Sequence, residues 1–428
     1  MLSSFMKIAA IIIFVVMYLG MIFLPKHRSK VALGTALLFL ILGVMPVTQL
    51  AHVIEWNVLL MLLGTMLLVD FFIESKMPNL LADILLRHAP NVKWAIIFMS
   101  LFAGLISAFI DNVSTVLMLA PVGIAICRKL KISPVGMIIS ISVSSNLQGA
   151  ATLVGDTTSI MLGNYAHMDF MDFFVYNGKP GIFFAVELGA LATIPIMLWL
   201  FRKENQKVEK DGAPTVVEDR IPTVMLVGMV ICLIAASFMP NKPSITNGVI
   251  CISFAFVTAV LEALFKKNGS GMKHAFKGVD IDTLLLLTGL FIVIGGVTNV
   301  GLVSDLSAWV ISFGKSGIFL LYTVIVWGSV LISAFIDNIP YVATMLPVLT
   351  GVTAAMNTPP ELLYYGLLIG ATLGGNITPI GASANITGIG ILKKEGHEVS
   401  FGTFARIGLP FTLVAVLVGY LYVWFVYR

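Results

Sequence analysis

The sequence predicts an all-α polytopic membrane protein made of two repeats of opposite orientation, with about ten transmembrane helices and two re-entrant hairpins. Three observations support this fold class. Only 11% of the 428 residues are charged and 58% are hydrophobic, whereas about a quarter of a soluble domain is charged. Apolar runs of helix length follow one another along the chain, and one polar motif occurs twice within them. Such a chain is solvated mainly by lipid.

A helix that crosses ~30 Å of hydrocarbon needs about 20 apolar residues. The runs that fit this length are 6–24, 31–49, 57–74, 134–163, 181–200, 221–239, 245–265, 281–300, 361–391 and 406–427. Two further stretches, 94–127 and 317–353, are too long for a single crossing and carry Asp111-Asn112 or Asp337-Asn338 near the middle. We expect both stretches to enter the membrane and return to the same side.

Lys and Arg collect in short segments between the apolar runs, and such segments normally lie in the cytoplasm. The basic clusters are Lys26/Arg28/Lys30, Lys76/Arg87/Lys93, Arg128/Lys129/Lys131, Arg202/Lys203/Lys207/Lys210, Lys266/Lys267/Lys273/Lys277 and Lys393/Lys394. Ten spans and two hairpins place every cluster on one side, with hairpin 94–127 opening inward and hairpin 317–353 opening outward. The expected location is therefore the cell membrane. Nucleic-acid binding finds no support, because the cations do not form one polar face.

The predicted organisation follows from these spans. It comprises N-terminal scaffold helices (1–56), repeat 1 (57–200), a cytoplasmic linker (201–220), connecting transmembrane helices (221–265) and repeat 2 (281–428). Two amphipathic segments, 78–92 and 302–316, are expected to lie along the membrane interfaces. Neither the three cysteines nor the six histidines have the spacing of a disulfide framework or a metal site, so no cofactor is expected.

The strongest evidence for duplication is a gapless match between 106–122 (ISAFIDNVSTVLMLAPV) and 332–348 (ISAFIDNIPYVATMLPV), in which ten of seventeen positions are identical. The same offset of 226 residues pairs GAATLVGDTTSI with GNITPIGASANI. Upstream, the runs that begin at Asn57 and Asp282 correspond after a shift of one residue. Repeats of opposite orientation are typical of secondary transporters whose site lies at the repeat interface. A symmetric scaffold is the alternative, although a scaffold does not require a buried carboxylate in each half.

Asp111 and Asp337 are the only side chains of their stretches that are charged at neutral pH. A carboxylate near the bilayer centre costs at least ~2.5 kcal/mol, so it normally marks an ion site or a proton relay. It can lower this cost by binding a proton or a cation. We therefore place a candidate Na⁺ site at Asp111, Asn112, Asp337 and Asn338. Capping of the following half-helix is the alternative role, because Asp and Asn are both good N-caps.

A second polar group interrupts the spans 134–163 and 361–391. Gly149, Gly155, Gly375 and Gly381 are the expected helix breaks. The neighbouring polar residues predicted to complete the binding site are Asp156, Thr157, Thr378, Ser383 and Asn385. Oxygen ligands of these types suit a hard cation such as Na⁺. Close helix packing is the alternative role of the glycines. No Lys or Arg lies deep in any span, so an anionic substrate would depend on helix N-termini, amides and bound cations.

The motifs SAFIDNVSTVLMLAPV and GAATLVGD resemble those of the ion transporter superfamily, over roughly Asn57 to Asn385. The chain is similar to NhaD-type sodium/proton antiporters, ArsB-type arsenite permeases and the pink-eyed dilution protein, and more distantly to Na⁺/dicarboxylate symporters. The resemblance implies a scaffold domain that usually dimerises and a transport domain that moves as an elevator. Asp at the first position of each hairpin motif is similar to the antiporter and pigment-protein branch.

The predicted function is secondary active ion transport, either Na⁺/H⁺ antiport or ion-coupled transport of a small anion, with Na⁺ or H⁺ as the coupling ion. Arsenite or antimonite efflux and Na⁺-coupled carboxylate transport remain alternatives. A channel or a structural subunit is a third possibility. An enzyme is not expected, because the sequence contains no HExxH motif or comparable nucleophile–base pair. The expected partners are membrane lipid, a small inorganic ion or small anion, and a second copy of the chain.

Overall fold

The computed structural model describes residues 4–208, 215–217, 219–265, 278–314 and 317–428. Part of the predicted linker, the end of segment 302–316 and the basic residues Lys210, Lys266, Lys267, Lys273 and Lys277 lie outside the described residues. The described chain is almost entirely helical, as the sequence predicts. Its one sheet is a small antiparallel pair, β1 (Val175–Tyr176) and β2 (Lys179–Pro180).

In chain order the α-helices are α1 (Ser4–Phe23), α2 (Arg28–Ile41), α3 (Leu50–Val53), α4 (Trp56–Glu74), α5 (Met77–Leu86), α6 (Val92–Ser107), α7 (Asn112–Leu130), α8 (Val135–Gly149), α9 (Thr157–Tyr165), α10 (Ile182–Leu200), α11 (Ile221–Ser237), α12 (Thr246–Phe265), α13 (Ile281–Asn299), α14 (Leu302–Gly314), α15 (Ile318–Ser333), α16 (Asn338–Met356), α17 (Pro360–Leu368), α18 (Ser383–Lys394) and α19 (Phe401–Tyr427). Short 3₁₀ turns occupy Pro25–His27, Val47–Gln49, Phe170–Phe173 and Gly375–Ile377, and a π-helical turn occupies Ile369–Leu373.

Within the described residues, eight helices are long and apolar enough to cross a membrane: α1, α4, α7, α10, α12, α13, α16 and α19. The chain is therefore a multi-pass membrane protein. The predicted spans 134–163 and 361–391 are each divided into two shorter helices, and α11 has only 17 residues. The predicted span 31–49 is wrong in its second half. Helix α2 ends at Ile41 because Gly43 adopts a left-handed φ of 69° and Pro46 follows it.

Each predicted hairpin stretch forms two helices joined by a short turn. In hairpin 1, α6 packs against α7, and in hairpin 2 the Ser329 hydroxyl on α15 lies 3.0 Å from the Tyr341 hydroxyl on α16. Residues 108–111 and 334–337 separate the two legs. The amphipathic helices α5 and α14 pack beside the hairpins.

The helices pack as two groups. The hairpin bundle (α6–α10 and α15–α19) contains both hairpins and both broken helices, and the framework bundle contains α1, α2, α4 and α11–α13. In the framework bundle α2 packs along α13, and α12 packs along α4. Each pairing depends on a glycine. A Cβ on Gly289 would lie 2.8 Å from the backbone of Ala32, and one on Gly64 would lie 2.4 Å from the backbone of Cys251.

Three ion pairs join segments that the charge distribution assigns to the same side of the membrane. Arg128 and Glu395, which are 2.6 Å apart, belong to the predicted cytoplasmic side. Two pairs belong to the opposite side, Lys7 with Asp305 at 2.6 Å and Lys242 with Asp169 at 2.5 Å. These three contacts therefore agree with the predicted topology.

Candidate binding site at the hairpin tips

Each hairpin tip begins its second leg with an aspartate that caps the helix. Asp111 Oδ1 accepts hydrogen bonds from the backbone amides of Val113 and Ser114, both at 3.0 Å. Asp337 Oδ1 accepts one, from Ile339 at 3.1 Å. Proline at position 340 has no N–H to donate a second. The capping role considered for the Asp-Asn pairs is therefore present in both tips.

The break in each broken helix packs against the tip of the hairpin in its own repeat. The Thr152 hydroxyl donates to the Ala108 carbonyl, and the Thr378 hydroxyl donates to the Ala334 carbonyl. These two bonds are related by the 226-residue offset. Gly155 and Gly381, two of the four predicted glycine breaks, take part in this close packing. A Cβ added to either glycine would lie 2.6–2.8 Å from carbonyl oxygens. The other two, Gly149 and Gly375, are the carbonyl partners of that contact.

Asp156, at the start of α9, brings the two tips together. Its Oδ1 accepts a hydrogen bond from Asn112 Nδ2 at 3.4 Å, and its Oδ2 accepts one from Asn338 Nδ2 at 3.3 Å. The Thr158 hydroxyl adds a third bond at 2.5 Å. Asp156 is only 2% exposed. Its counterpart in repeat 2 is Ala382, so this carboxylate has no equivalent in the other half.

The two broken helices are also joined to each other through side-chain amides. Asn146 Oδ1 accepts from Asn112 Nδ2 at 2.9 Å, and Asn146 Nδ2 donates to the Thr372 carbonyl at 2.6 Å. The Asn376 amide donates to the Val143 carbonyl at 2.9 Å. Both asparagines are completely buried. Side-chain hydrogen bonds therefore join repeat 1 to repeat 2 next to the hairpin tips.

Asp337 has a partner that the sequence analysis did not anticipate. Arg28 Nη1, at the start of α2, lies 2.7 Å from Asp337 Oδ2, and the Ser383 hydroxyl donates to the same oxygen at 2.8 Å. Arg28 is outside the predicted spans. It nevertheless reaches the hairpin tip, so a cationic side chain is present beside the predicted site.

Two adjoining cavities give access to the tips. A void of about 20 Å³ is lined by Asp111, Asn112, Asp156, Thr157, Asn338 and Ser383, among others. A larger cavity of about 250 Å³ is lined by Lys26, Arg28, Asp280, Asp282, Asp337 and Ser383, among others. Val113, Asp280, Thr283, Ile339 and Ser383 contribute to both. We call the larger cavity the inner vestibule, because Lys26 and Arg28 belong to a predicted cytoplasmic cluster.

The predicted site residues therefore fall into two sets. Most line the small void or the inner vestibule, whereas Thr378 and Asn385 lie behind the second tip. Asn385 Nδ2 donates to the Gly375 carbonyl at 3.0 Å and to the Thr378 carbonyl at 3.2 Å. Its Oδ1 is buried and has no hydrogen-bond partner among the described residues. Across all the residues that the structure describes, no group of three or more His, Cys, Asp or Glu side chains is arranged to hold a metal ion.

Sequence reasoning missed Arg28, Asp280 and Asp282 as lining residues. Asp280 caps α13 by accepting the Thr283 amide at 3.0 Å, and Asp282 accepts the Ser29 hydroxyl at 2.9 Å. A usable signal was present. Asp280 lies immediately before the apolar helix α13, which begins repeat 2, and Asp282 lies in its first turn.

Two hairpins and two broken helices that meet around buried polar groups, within a bundle of long apolar helices, define a membrane transporter. The chain belongs to the CitMHS family, described as citrate transporters, whose model matches residues 12–370. The predicted resemblance to the ion transporter superfamily is thereby confirmed.

Several similar proteins are named as transporters or efflux pumps. The chain is 31% identical to an uncharacterized transporter of Mycobacterium bovis over 99% of both chains. It is 28% identical to the human P protein over 95% of this chain and 58% of that protein. The Alcanivorax borkumensis YdaH transporter has a similar fold, with a TM-score of 0.61 at 14% identity over 88% of this chain and 86% of that chain. Neisseria gonorrhoeae MtrF also has a similar fold, with a TM-score of 0.55 at 15% identity over 90% of this chain and 83% of that chain.

Proposed function

We propose that this transporter is secondary active and binds a cation where the two hairpin tips meet, exchanging Na⁺ for H⁺ or coupling an ion gradient to transport of a small anion. The observation that carries the proposal is the position of Asp156. This buried carboxylate receives hydrogen bonds from both tips, and no Lys or Arg among the described residues forms an ion pair with it. A negative charge in this setting is strongly favoured to bind a cation or a proton.

The groups around Asp156 have the chemistry that a hard cation requires. Asp111, Thr157 and Ser383 line the same small void and carry carboxylate or hydroxyl oxygens. Oxygen ligands of this kind suit Na⁺, and they also suit a proton that moves between carboxylates. The unpartnered Asn385 Oδ1 is a further acceptor behind the second tip. We therefore retain Asp111, Asn112, Asp337 and Asn338 as proposed Na⁺ ligands and add Asp156 at their centre.

The charge of the inner vestibule favours cations over anions. Its lining includes three carboxylates, of Asp280, Asp282 and Asp337, and two basic side chains, of Lys26 and Arg28. A cleft with excess negative charge between apolar walls raises the local cation concentration. The vestibule would thus deliver a cation to the tips from the predicted cytoplasmic side.

The packing suggests how the site changes sides. Both tips and both broken helices belong to the hairpin bundle, so they can move together against the framework bundle. Such rigid-body movement between repeats is a general route to alternating access. We propose an elevator movement of the hairpin bundle, with a second copy of the chain bound through the framework bundle.

One observation favours a small carboxylate as co-substrate. Arg28 lies in the inner vestibule, and the N-termini of α16 and α18 begin at Asn338 and Ser383 beside it. A guanidinium and helix N-termini are suited to a carboxylate. This second candidate differs from simple exchange only in requiring an anion together with the cation.

Purified protein in proteoliposomes that contain a pH-sensitive dye would test the proposal. A Na⁺ gradient should change the internal pH, and Asp156→Asn should slow this response by roughly 100-fold, the order of effect expected when a charged partner of a bound ion is lost. Asp305→Asn is the matched control, because Asp305 is half exposed and pairs with Lys7 on the outer face.

The same vesicles would separate the alternatives. A wild-type protein that gives no response to Na⁺ would reject cation exchange, and an equal response in Asp156→Asn would reject the role of that carboxylate. Uptake that requires a small carboxylate together with Na⁺ would support the co-substrate. Arsenite transport without any Na⁺ response would instead support an efflux permease of the same architecture.

A further inference from the structure

The ion pair between Arg28 and Asp337 joins the two bundles. Arg28 belongs to α2 of the framework bundle, whereas Asp337 is the tip of hairpin 2 in the hairpin bundle. The side chains are 13% and 2% exposed, and the nitrogen–oxygen distance is 2.7 Å. The pair therefore holds together two parts that must separate if the hairpin bundle moves relative to the framework bundle.

The repeat relationship identifies the positions that correspond to this part of α2. Asp282 and Asn57 are equivalent in the two halves. Asp282 Oδ1 accepts a hydrogen bond from the Ser29 hydroxyl at 2.9 Å, and Asn57 Oδ1 accepts one from the Gly248 amide at 2.8 Å. Ser29 and Gly248 are therefore structurally equivalent.

It follows that the residue equivalent to Arg28 is Asn247. The Asn247 side chain is buried and neutral, and its Oδ1 accepts a hydrogen bond from Lys242 at 3.3 Å. Lys242 is itself engaged by Asp169 at 2.5 Å. The duplicated framework thus offers a cationic side chain at this position to the tip of hairpin 2 only.

A cavity on the other face shows the same asymmetry. This outer cavity, of about 320 Å³, is lined by Asn57, Met61, Ile160, Lys242 and Asn247, among others. Asn57, Met61 and Ile160 are the repeat equivalents of three residues that line the inner vestibule. The outer cavity is therefore the counterpart of the inner vestibule. Unlike the vestibule, it has no hairpin-tip residue among its lining.

We propose that Arg28 is a tethered counter-ion for Asp337 that couples cation binding to movement of the hairpin bundle. The proposal rests on the cation-exchange function proposed above. A buried carboxylate that loses its cationic partner is strongly destabilised. Because Arg28 stays with the framework, the hairpin bundle leaves the inward position only after Asp337 has gained a cation or a proton. Return of an empty bundle, which would uncouple exchange, is thereby prevented.

Accessibility labelling tests this role without requiring transport. The reporter is Val113→Cys, at the first tip, in a chain whose Cys127, Cys232 and Cys251 are replaced by serine. A membrane-impermeant maleimide should label the parent from the inner side at least ~10-fold faster than from the outer side, because a stabilised inward state dominates the population. Arg28→Gln should reduce this preference to within about 2-fold, whereas Arg28→Lys should retain it.

A second variant keeps the test decisive if an unpaired Asp337 prevents folding. Arg28→Gln combined with Asp337→Asn removes both charges, and it should show the same two-sided labelling as Arg28→Gln alone. In vesicles, wild-type Na⁺ movement should depend on a counter-ion on the opposite side, and Arg28→Gln should lose most of that dependence.

The outcomes distinguish the two proposals. Wild-type Na⁺ exchange together with one-sided labelling in both Arg28→Gln and the double variant would overturn the coupling role alone. If the Arg28–Asp337 pair only stabilised the fold, Arg28→Gln would lower the protein yield and leave the labelling preference unchanged. Absence of Na⁺ transport in the wild type would overturn the cation-exchange function, and the coupling role with it.

Discussion

The two hairpin tips have nearly the same packing but different chemistry. In both repeats a threonine hydroxyl binds the carbonyl at the hairpin turn, and a glycine of the broken helix lies against the same backbone. At the next position of the break the halves differ, because repeat 1 has Asp156 where repeat 2 has Ala382. Besides its own aspartate, each tip therefore binds the same additional carboxylate, Asp156, which only repeat 1 supplies.

This difference separates what duplication kept from what it changed. The contacts that set backbone positions are present twice, since a hairpin and a broken helix must fit in each half. The tip carboxylates of Asp111 and Asp337 are also present twice, but two charged groups are present once: Asp156 lies between the tips, and Arg28 reaches the second tip only. The packing is therefore expected to respond equally to matched substitutions in the two halves, and the chemistry is expected to respond unequally.

The largest stability effect should come from the glycines at the crossing points. Gly155→Ala and Gly381→Ala would each place a Cβ within 2.8 Å of carbonyl oxygens, so each should lower the free energy of unfolding by about 1–3 kcal/mol. The two losses should be similar, and thermal unfolding in detergent would measure them. Gly328→Ala is the matched control, because a Cβ there meets nothing within 4 Å. A large loss at only one of the two sites would contradict the equivalence of the packing.

Substitution of Thr152 or Thr378 should lower the free energy of unfolding by a smaller amount, again equal in the two halves. Thr152→Val and Thr378→Val keep the shape of the side chain but remove its bond to the Ala108 or Ala334 carbonyl, at a cost of about 1 kcal/mol each. Unfolding of the two variants would be compared with that of Thr298→Val, whose hydroxyl bonds only within its own exposed helix turn. If the control lost as much stability as either variant, the bonds to Ala108 and Ala334 would contribute no more than a hydrogen bond within a helix.

The smallest effect should come from the exposed ion pair. Glu395→Gln removes the partner of Arg128, but the side chains are 37% and 72% exposed, so the free energy of unfolding should fall by less than about 1 kcal/mol. Raising the salt concentration should erase even this difference in a parallel unfolding series. A larger loss that persists at high salt would mean that this surface contact contributes as much as a buried pair.

Much of the fold was accessible from the sequence because its signals are local or repeated. The 226-residue offset identified the two tips and the four glycines, and apolar length identified the long helices. The second span was overestimated because hydropathy does not register the left-handed turn at Gly43. Neither the division of the helices into two bundles nor the pairing of α2 with α13 has a counterpart in hydropathy.

The candidate site was only partly accessible. Asp111, Asp156 and Asp337 could be selected because each is an ionisable residue deep in an apolar run. Their partners could not, since Arg28 and Asp337 are 309 positions apart and Arg28 looks like an ordinary cytoplasmic residue. Convergence of Asn112 and Asn338 on one carboxylate likewise depends on how two distant hairpins face each other.

The amide bonds that join the broken helices constrain how cargo is released. Asn146 links the first broken helix to the second through the Thr372 carbonyl, and Asn376 returns a bond to Val143. The part of the site that belongs to the hairpin bundle is tied together in this way, so its two repeats cannot separate unless these hydrogen bonds break. Under the elevator movement proposed above, we expect a bound ion to move together with the hairpin bundle and to leave on the side that the bundle then faces.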